Sequence, residues 1–142
     1  MSSKKQPQLS QRFLQVVAAE LTSSSLDTVA ILSVNLGSPQ NIFARTHARL
    51  MRETVALLPC VTPAFKTMEI RPERIFALIS GTIPELMDLV EDTHQSLIVL
   101  EARHREIAKF CMSLTVAKAG ESASDLLERA HAMLDDAVLE FS

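Results

Sequence analysis

The residues whose types and spacing come nearest to a catalytic or metal-binding arrangement are Glu101 and His104, in the stretch EARH. At a helix end this spacing places a carboxylate and an imidazole on one face, where they could supply half of a metal site. The sequence offers no second half-site, and the other histidines, His47, His94 and His131, each stand alone. We therefore expect Glu101 and His104 to be a solvated pair of side chains.

The hydroxyl and thiol nucleophiles of the chain lack the partners that would activate them. Ser33 has no histidine or aspartate in a recognisable nucleophile motif. Cys60 and Cys111 are far apart, and neither has a cysteine or histidine at metal-ligand spacing. We expect two buried or half-buried thiols. Residue type and spacing alone thus predict no catalytic, metal-binding or cofactor-binding residue.

Composition and charge place the chain among single-domain globular proteins. Of 142 residues, 47% are hydrophobic and 22% charged, which favours a packed core over disorder. The net charge is −3 and the basic residues are scattered, which argues against nucleic acid as a partner. No apolar run reaches the about 18 residues of a membrane span, and the N-terminus lacks a secretory apolar segment. We expect no membrane insertion, a cytoplasmic location, a disordered tail over 1–8 and one domain over 9–142.

The spacing of apolar residues predicts alternating helices and strands. The runs 28–36, 74–80 and 107–117 are short and mostly apolar, as in central strands of a covered sheet. A further strand candidate at 64–70 is separated from 74–80 only by Arg71–Glu73, which predicts a hairpin. Helical periodicity predicts helices over 9–21, 40–58, 84–100 and 123–140. We expect an α/β (α+β) fold with a central, mixed β-sheet of about five strands covered by helices.

Several phrases of the sequence resemble the GGDEF family, the diguanylate cyclase domain. SLTVAKAGESASDLLERAHAML, residues 113–134, resembles the strand, turn and helix near the end of that domain. RIFALISGT, residues 74–82, resembles the strand that follows the signature turn, and VAILSVNL, residues 29–36, resembles the first strand. LSQRFLQVV, residues 9–17, faintly resembles the entry to the domain. The resemblance covers nearly the whole chain and implies a nucleotidyl-cyclase-like fold.

The resemblance also implies that the chemistry of the family has been lost. Family members join two GTP molecules with two divalent metals, held by carboxylates of the first strand and of the signature turn. Here Ser33 and Asn35 stand at the first-strand positions, and both are weak, neutral ligands. In place of Gly-Gly-Asp-Glu-Phe the turn has Pro72, Glu73, Arg74, Ile75 and Phe76. Only Phe76 matches, so the resemblance implies a degenerate domain without enzymatic activity or cofactor.

The family's site for binding its product is missing as well. That site is an Arg-x-x-Asp motif upstream of the signature turn, where an arginine binds cyclic di-GMP through paired hydrogen bonds. The matching positions lie near Pro63 and Lys66, and no Arg-x-x-Asp occurs anywhere in the chain.

Three function hypotheses of different classes follow. The first is a catalytically inactive regulatory or protein-interaction module of bacterial signalling or secretion. It would bind another protein or a second copy, with Arg71, Glu73 and Arg74 of the former signature turn as candidate contacts. The alternative is a non-catalytic sensor that binds GTP or cyclic di-GMP at a remodelled site, and the third is an enzyme of different chemistry. Because the sequence stops at Ser142 without the family's closing strand, we also expect an open sheet edge.

Overall fold

The structure is a computed structural model that describes residues 10–23, 27–37, 43–59 and 62–140. The order of elements is the one predicted from the sequence: helix, strand, helix, hairpin, helix, strand, helix. The elements are α1 (Gln11–Thr22), β1 (Thr28–Gly37), α2 (Ala44–Leu57), β2 (Phe65–Ile70), β3 (Arg74–Gly81), α3 (Ile83–Arg103), β4 (Lys109–Val116) and α4 (Ala123–Glu140). The predicted tail over 1–8, the predicted helix start at 40–42 and Cys60 lie outside the described residues.

The described strands form one four-stranded sheet in the order β2-β3-β1-β4. All three neighbouring pairs are antiparallel, whereas the sequence predicts about five strands of mixed direction. Neighbouring strands are antiparallel because each crossover helix joins two strands that run in the same direction and have an antiparallel strand between them. Thus β1 and β2 are parallel with β3 between them, and β3 and β4 are parallel with β1 between them. From β1 to β4 this is the ferredoxin-like, split βαβ arrangement.

The sheet is covered by helices on both faces. On the α4 face, α1 and α4 pack on alternate residues of the central strands, among them Ile31, Phe76 and Leu78. On the α3 face, α2 and α3 pack on the residues in between, such as Val34 and Ile75. Burial on both faces explains why β1 and β3 are apolar almost without interruption.

Side-chain caps fix where the helices next to the sheet begin. Ser10 caps α1 by accepting a hydrogen bond from Phe13 N at 3.1 Å. The same hydroxyl donates to Glu69 Oε1 on β2 at 2.9 Å, which ties the start of α1 to the sheet. Thr82 and Glu85 form a reciprocal capping box at the start of α3. None of the helices in the described residues is long and apolar enough to cross a bilayer.

The turn between β2 and β3 lies where the sequence predicts it. Arg71 N donates to Arg74 O at 2.7 Å, which closes the turn. Leu36 N, at the end of β1, donates to Glu73 O at 2.8 Å. On the opposite side, Nε2 of His47 on α2 lies 2.6 Å from Pro72 O. The turn is therefore held to β1 and α2, which gives its side chains defined positions.

Candidate functional site

The β2–β3 turn, which the resemblance aligns with the GGDEF signature turn, forms one wall of a cleft whose other wall is α4. This turn cleft has a volume of about 410 Å³. It is lined by Arg71, Pro72, Glu73, Arg74, Phe76, His131 and Asp135. Four of the five positions aligned with the GGDEF letters thus line the cleft. The fifth, Ile75, points to the α3 face and is buried in the core.

Arg74 organises the turn cleft through three side-chain contacts. Its Nε donates to Asn35 Oδ1 at 3.0 Å, at the end of β1. One terminal nitrogen donates to Asp135 Oδ1 on α4 at 2.6 Å. The other lies 3.5 Å from His131 Nδ1. The guanidinium therefore joins two strands and a helix at a single point.

His131 lies between this guanidinium and the ring of Phe76. The two ring centroids are 4.5 Å apart and the planes are inclined by 49°. Burial lowers the pKa of His131, and the positive charge of Arg74 lowers it further, against a smaller opposing effect of Asp135. Because a guanidinium can only donate hydrogen bonds, the 3.5 Å approach to Nδ1 favours the neutral imidazole with its proton on Nε2.

The two positions aligned with the first-strand carboxylates have different surroundings. Asn35 belongs to the Arg74 network. Ser33 lies deeper in the sheet, opposite Phe76 on β3 and Ser113 on β4, and is fully buried on the face covered by α4. The hydroxyl oxygens of Ser33 and Ser113 are buried and find no hydrogen-bond partner within the described ranges. Ser33 is thus a core residue and does not reach the turn cleft.

The charges of the turn cleft do not make a metal site. Within the described ranges, no group of three or more histidine, cysteine, aspartate and glutamate side chains could hold an ion. Asp135 is paired with Arg74. Among the residues that the structure describes, Arg71 forms a long contact of 3.6 Å with Glu69, and its buried Nε has no hydrogen-bond partner. The donors of Arg71 make this side chain the one suited to an anionic group of a ligand.

The structure separates the roles of Glu101 and His104. His104 Nε2 lies 2.9 Å from Glu53 Oε1 on α2, and Arg103 donates to the other oxygen of Glu53 at 2.6 Å. These two partners lower the pKa of Glu53. Glu101 instead accepts a hydrogen bond from Phe110 N on β4 at 2.7 Å. The two side chains thus have separate partners and serve to connect elements.

The outer side of β4 is a second candidate site, which the sequence does not reveal. Ala117 N donates to Val29 O on β1, so the odd-numbered residues of β4 direct their backbone groups to β1. The even-numbered residues therefore direct theirs outward. Phe110 N is bonded by Glu101, and Val116 O accepts from Arg129 at 2.7 Å. Between these two capped ends, the outward groups of Met112 and Leu114 have no partner in the described part of the chain, and they form the open part of what we call the β4 edge.

Clefts and apolar side chains surround the β4 edge. Clefts of about 380 and 330 Å³ lie along its first half and share Glu101, Phe110 and Cys111. Burial and the charge of Glu101 raise the pKa of the Cys111 thiol. The flanking side chains Ile98 on α3 and Met133 on α4 are both exposed.

Helical spacing alone could have placed His131 and Asp135 on one face of α4. No local pattern, however, signals that this face meets Arg74, or that Glu101 and Arg129 bond the backbone of β4. Comparison with protein-family models, curated proteins and solved structures finds no match for this chain.

Proposed function

We propose that this chain is a non-catalytic, GGDEF-like regulatory module that acts by binding another protein chain in bacterial signalling or secretion, in the cytoplasm. The order of elements and the ferredoxin-like sheet, covered by helices on both faces, support the nucleotidyl-cyclase-like assignment. The proposal otherwise rests on the resemblance in sequence and on the geometry of the turn cleft.

The observation that carries the proposal is the position of the Arg74 guanidinium. The resemblance aligns this residue with a metal-binding carboxylate. Here a fixed positive charge bonds Asn35, which is aligned with the other carboxylate position, and Asp135 on α4. A divalent cation at this point would be repelled by the guanidinium and would find no pair of free carboxylates. The arrangement favours a structural role for the former catalytic end of the sheet.

Two surfaces are suited to a protein partner. Glu73 is exposed at the rim of the turn cleft, and Arg71 is half-buried beside it. Arg74, the third candidate contact, is turned inward, with 21% of its side chain exposed. The β4 edge offers backbone donors and acceptors next to apolar side chains, the combination that supports strand addition. We therefore place the main contact at the β4 edge and a secondary contact at Arg71 and Glu73.

The lack of catalysis is tested by incubating the purified chain with GTP and either magnesium or manganese. We expect no cyclic di-GMP by chromatography, while an active diguanylate cyclase assayed in parallel forms it. Turnover by protein free of contaminating cyclase would overturn the proposal.

The binding role is tested by capturing partners on the immobilised chain and mapping the contact by hydrogen exchange. We expect protection along β4, and protection confined to α1 or α2 would contradict the assignment of the surface.

A second candidate is a sensor that binds GTP or cyclic di-GMP without converting it. The observation that favours it is the turn cleft itself, where Arg71 keeps a buried donor without a partner. A ligand that binds only the folded state raises its stability by RT ln(1 + [L]/Kd). A rise in the melting temperature with either nucleotide, abolished by Arg71→Ala, would favour the sensor. An unchanged melting temperature favours the interaction module.

A further inference from the structure

We infer that β4 is a self-association site, at which two copies of this chain pair antiparallel about a twofold axis through Ser113. The two four-stranded sheets would then form one continuous sheet of eight strands. This inference rests on the proposed function, because it names a second copy as the partner of an interaction module.

The backbone of β4 is self-complementary in this register. Met112 of each copy lies opposite Leu114 of the other, and both residues direct their N–H and C=O groups outward. Residues that face each other in this way exchange two hydrogen bonds. The symmetric pairing therefore supplies four hydrogen bonds to backbone groups that have no partner among the described residues.

The positions of the side chains that cap β4 favour a second copy over an unrelated strand. In the same register Phe110 of one copy lies opposite Val116 of the other. Glu101 bonds Phe110 N, and Arg129 bonds Val116 O. Each end of the ladder thus brings Glu101 of one copy towards Arg129 of the other, whose guanidinium also donates two hydrogen bonds of 2.7 Å to Glu121 of its own copy. A foreign strand would have to fit between these capping side chains, whereas the twofold axis places the same pair of capping groups at both ends.

Apolar side chains extend the surface on both sides of the strand. Ile98 on α3 is 45% exposed and lines a cleft together with Phe110 and Met112. Met133 on α4 is 40% exposed and lies beside β4, since its sulfur accepts a hydrogen bond from Thr115 at 3.2 Å. Symmetry brings both residues towards the second copy. Apolar contacts on both faces help the paired strands to reach the about 800 Å² per partner of a stable interface.

The helix α3 provides a matched control for Ile98. Its neighbour Val99 is 46% exposed, so the two side chains are almost equally accessible. Val99 shares one side of α3 with Ser96, three residues before it, and Arg103, four residues after it. Both of these bond α2, through Leu57 O and Glu53 respectively. Val99 therefore faces away from β4.

The first experiment measures self-association by sedimentation equilibrium over a range of concentrations. We expect a dimer that Ile98→Asp weakens at least about tenfold, whereas Val99→Asp changes the dissociation constant less than about twofold. Leu114→Pro removes one outward N–H without breaking the ladder with β1, and we expect it to weaken the dimer similarly. A monomeric wild-type chain, or equal effects of the two aspartate substitutions, would overturn the inference.

The second experiment tests the register. In a chain with Cys60→Ser and Cys111→Ser, Ser113→Cys places one thiol of each copy next to the twofold axis. Residues directly opposite in this type of pair have Cα atoms about 4.5 Å apart, within the range of a disulfide. We expect copper phenanthroline to oxidise the two thiols to a disulfide-linked dimer that dithiothreitol reverses. Thr67→Cys on β2, in the same background, should stay monomeric in a denaturing gel.

The outcomes separate this inference from the proposed function. A monomeric chain that forms no cyclic di-GMP and binds a different protein along β4 contradicts self-association alone. A chain that dimerises as described and also converts GTP contradicts the proposed function alone.

Discussion

Arg74 is the residue on which the arrangement at the end of the sheet depends. Its guanidinium bonds Asn35 on β1 and Asp135 on α4, and approaches His131. The asparagine is 8% exposed and the guanidinium is half-buried, so water replaces the bond between them poorly, whereas the Asp135 carboxylate is 48% exposed and stays accessible to water. The hydrogen bond between Arg74 and Asp135 joins residues 61 positions apart in the sequence, and for this reason no local pattern predicts it.

Replacing Arg74 should therefore destabilise the fold. We expect Arg74→Ala to lower the free energy of unfolding by about 1–3 kcal/mol, chiefly because it leaves the buried amide oxygen of Asn35 without its donor. Arg71→Ala is the control, because the 3.6 Å contact of Arg71 with Glu69 contributes at most about 1 kcal/mol. Urea titration of both variants measures the difference. Equal losses would show that Arg74 contributes no more than a surface ion pair.

The lowered pKa of His131 predicts a dependence of stability on pH. The folded chain holds this imidazole neutral below its ordinary pKa of 6.5, so the unfolded chain binds more protons as the pH falls. The stability contributed by the neutral ring is complete above about pH 6.5 and is lost as the pH falls through the folded value. His131→Phe keeps the ring against Phe76 and removes the titration. Between about pH 7 and pH 5, we expect the melting temperature of the variant to fall less than that of the wild type. An equal fall for both proteins would contradict this expectation.

At the scale of elements, the start of α3 depends on a short motif, Thr82 to Glu85, that can be read directly from the sequence. Thr82 accepts from Glu85 N at 3.3 Å, and Glu85 accepts from Thr82 N at 2.8 Å. The spacing Thr-x-x-Glu is that of a capping box, so the helix begins at Ile83 and not at the predicted residue 84. These hydrogen bonds lower the pKa of Glu85.

We expect Thr82→Ala, which removes this cap, to lower the free energy of unfolding by about 1 kcal/mol. Thr22→Ala is a matched control, because the hydroxyl of Thr22 only donates to Ala19 O near the exposed end of α1. We expect the control to cost less than about 0.5 kcal/mol. Denaturant titration checks both values. A similar cost for the two variants would mean that the cap does not stabilise α3.

Element types were predictable because they follow from local periodicity, and boundaries were less so. The strand predicted over 107–117 begins at Lys109, because Ile107 N and Ala108 N both donate to His104 O and prolong the turn after α3. The hairpin was predictable from the three residues that separate its strands, and the two-faced burial of β1 from its nearly uninterrupted apolar run. The caps on β4 depend on Glu101 and Arg129 reaching the strand from two helices, and such contacts leave no periodic signal.

At the scale of the whole molecule, the position of each strand in the sheet determines how strongly its amides are protected. Central strands β1 and β3 have neighbours on both sides, whereas β4 has β1 as its single neighbour among the described strands. In dilute, monomeric protein we expect amides of Ser113 and Thr115 to exchange at least about tenfold more slowly than those of Met112 and Leu114. Hydrogen exchange followed by NMR measures this alternation. Uniform protection along β4 at low concentration would contradict the outward direction of the even-numbered residues.

The β-bulge at the start of β2 has a consequence for the size of any assembly. The register of β2 shifts between Phe65 and Thr67, and the exposed Lys66 lies within the shift. When two copies join through β4, both ends of the enlarged sheet are β2 strands. A short, irregular strand with a lysine is a poor template for a further strand. Each molecule thus offers a single edge for strand pairing, so assembly stops at the dimer. A molecule with two such edges would instead polymerise into a fibre.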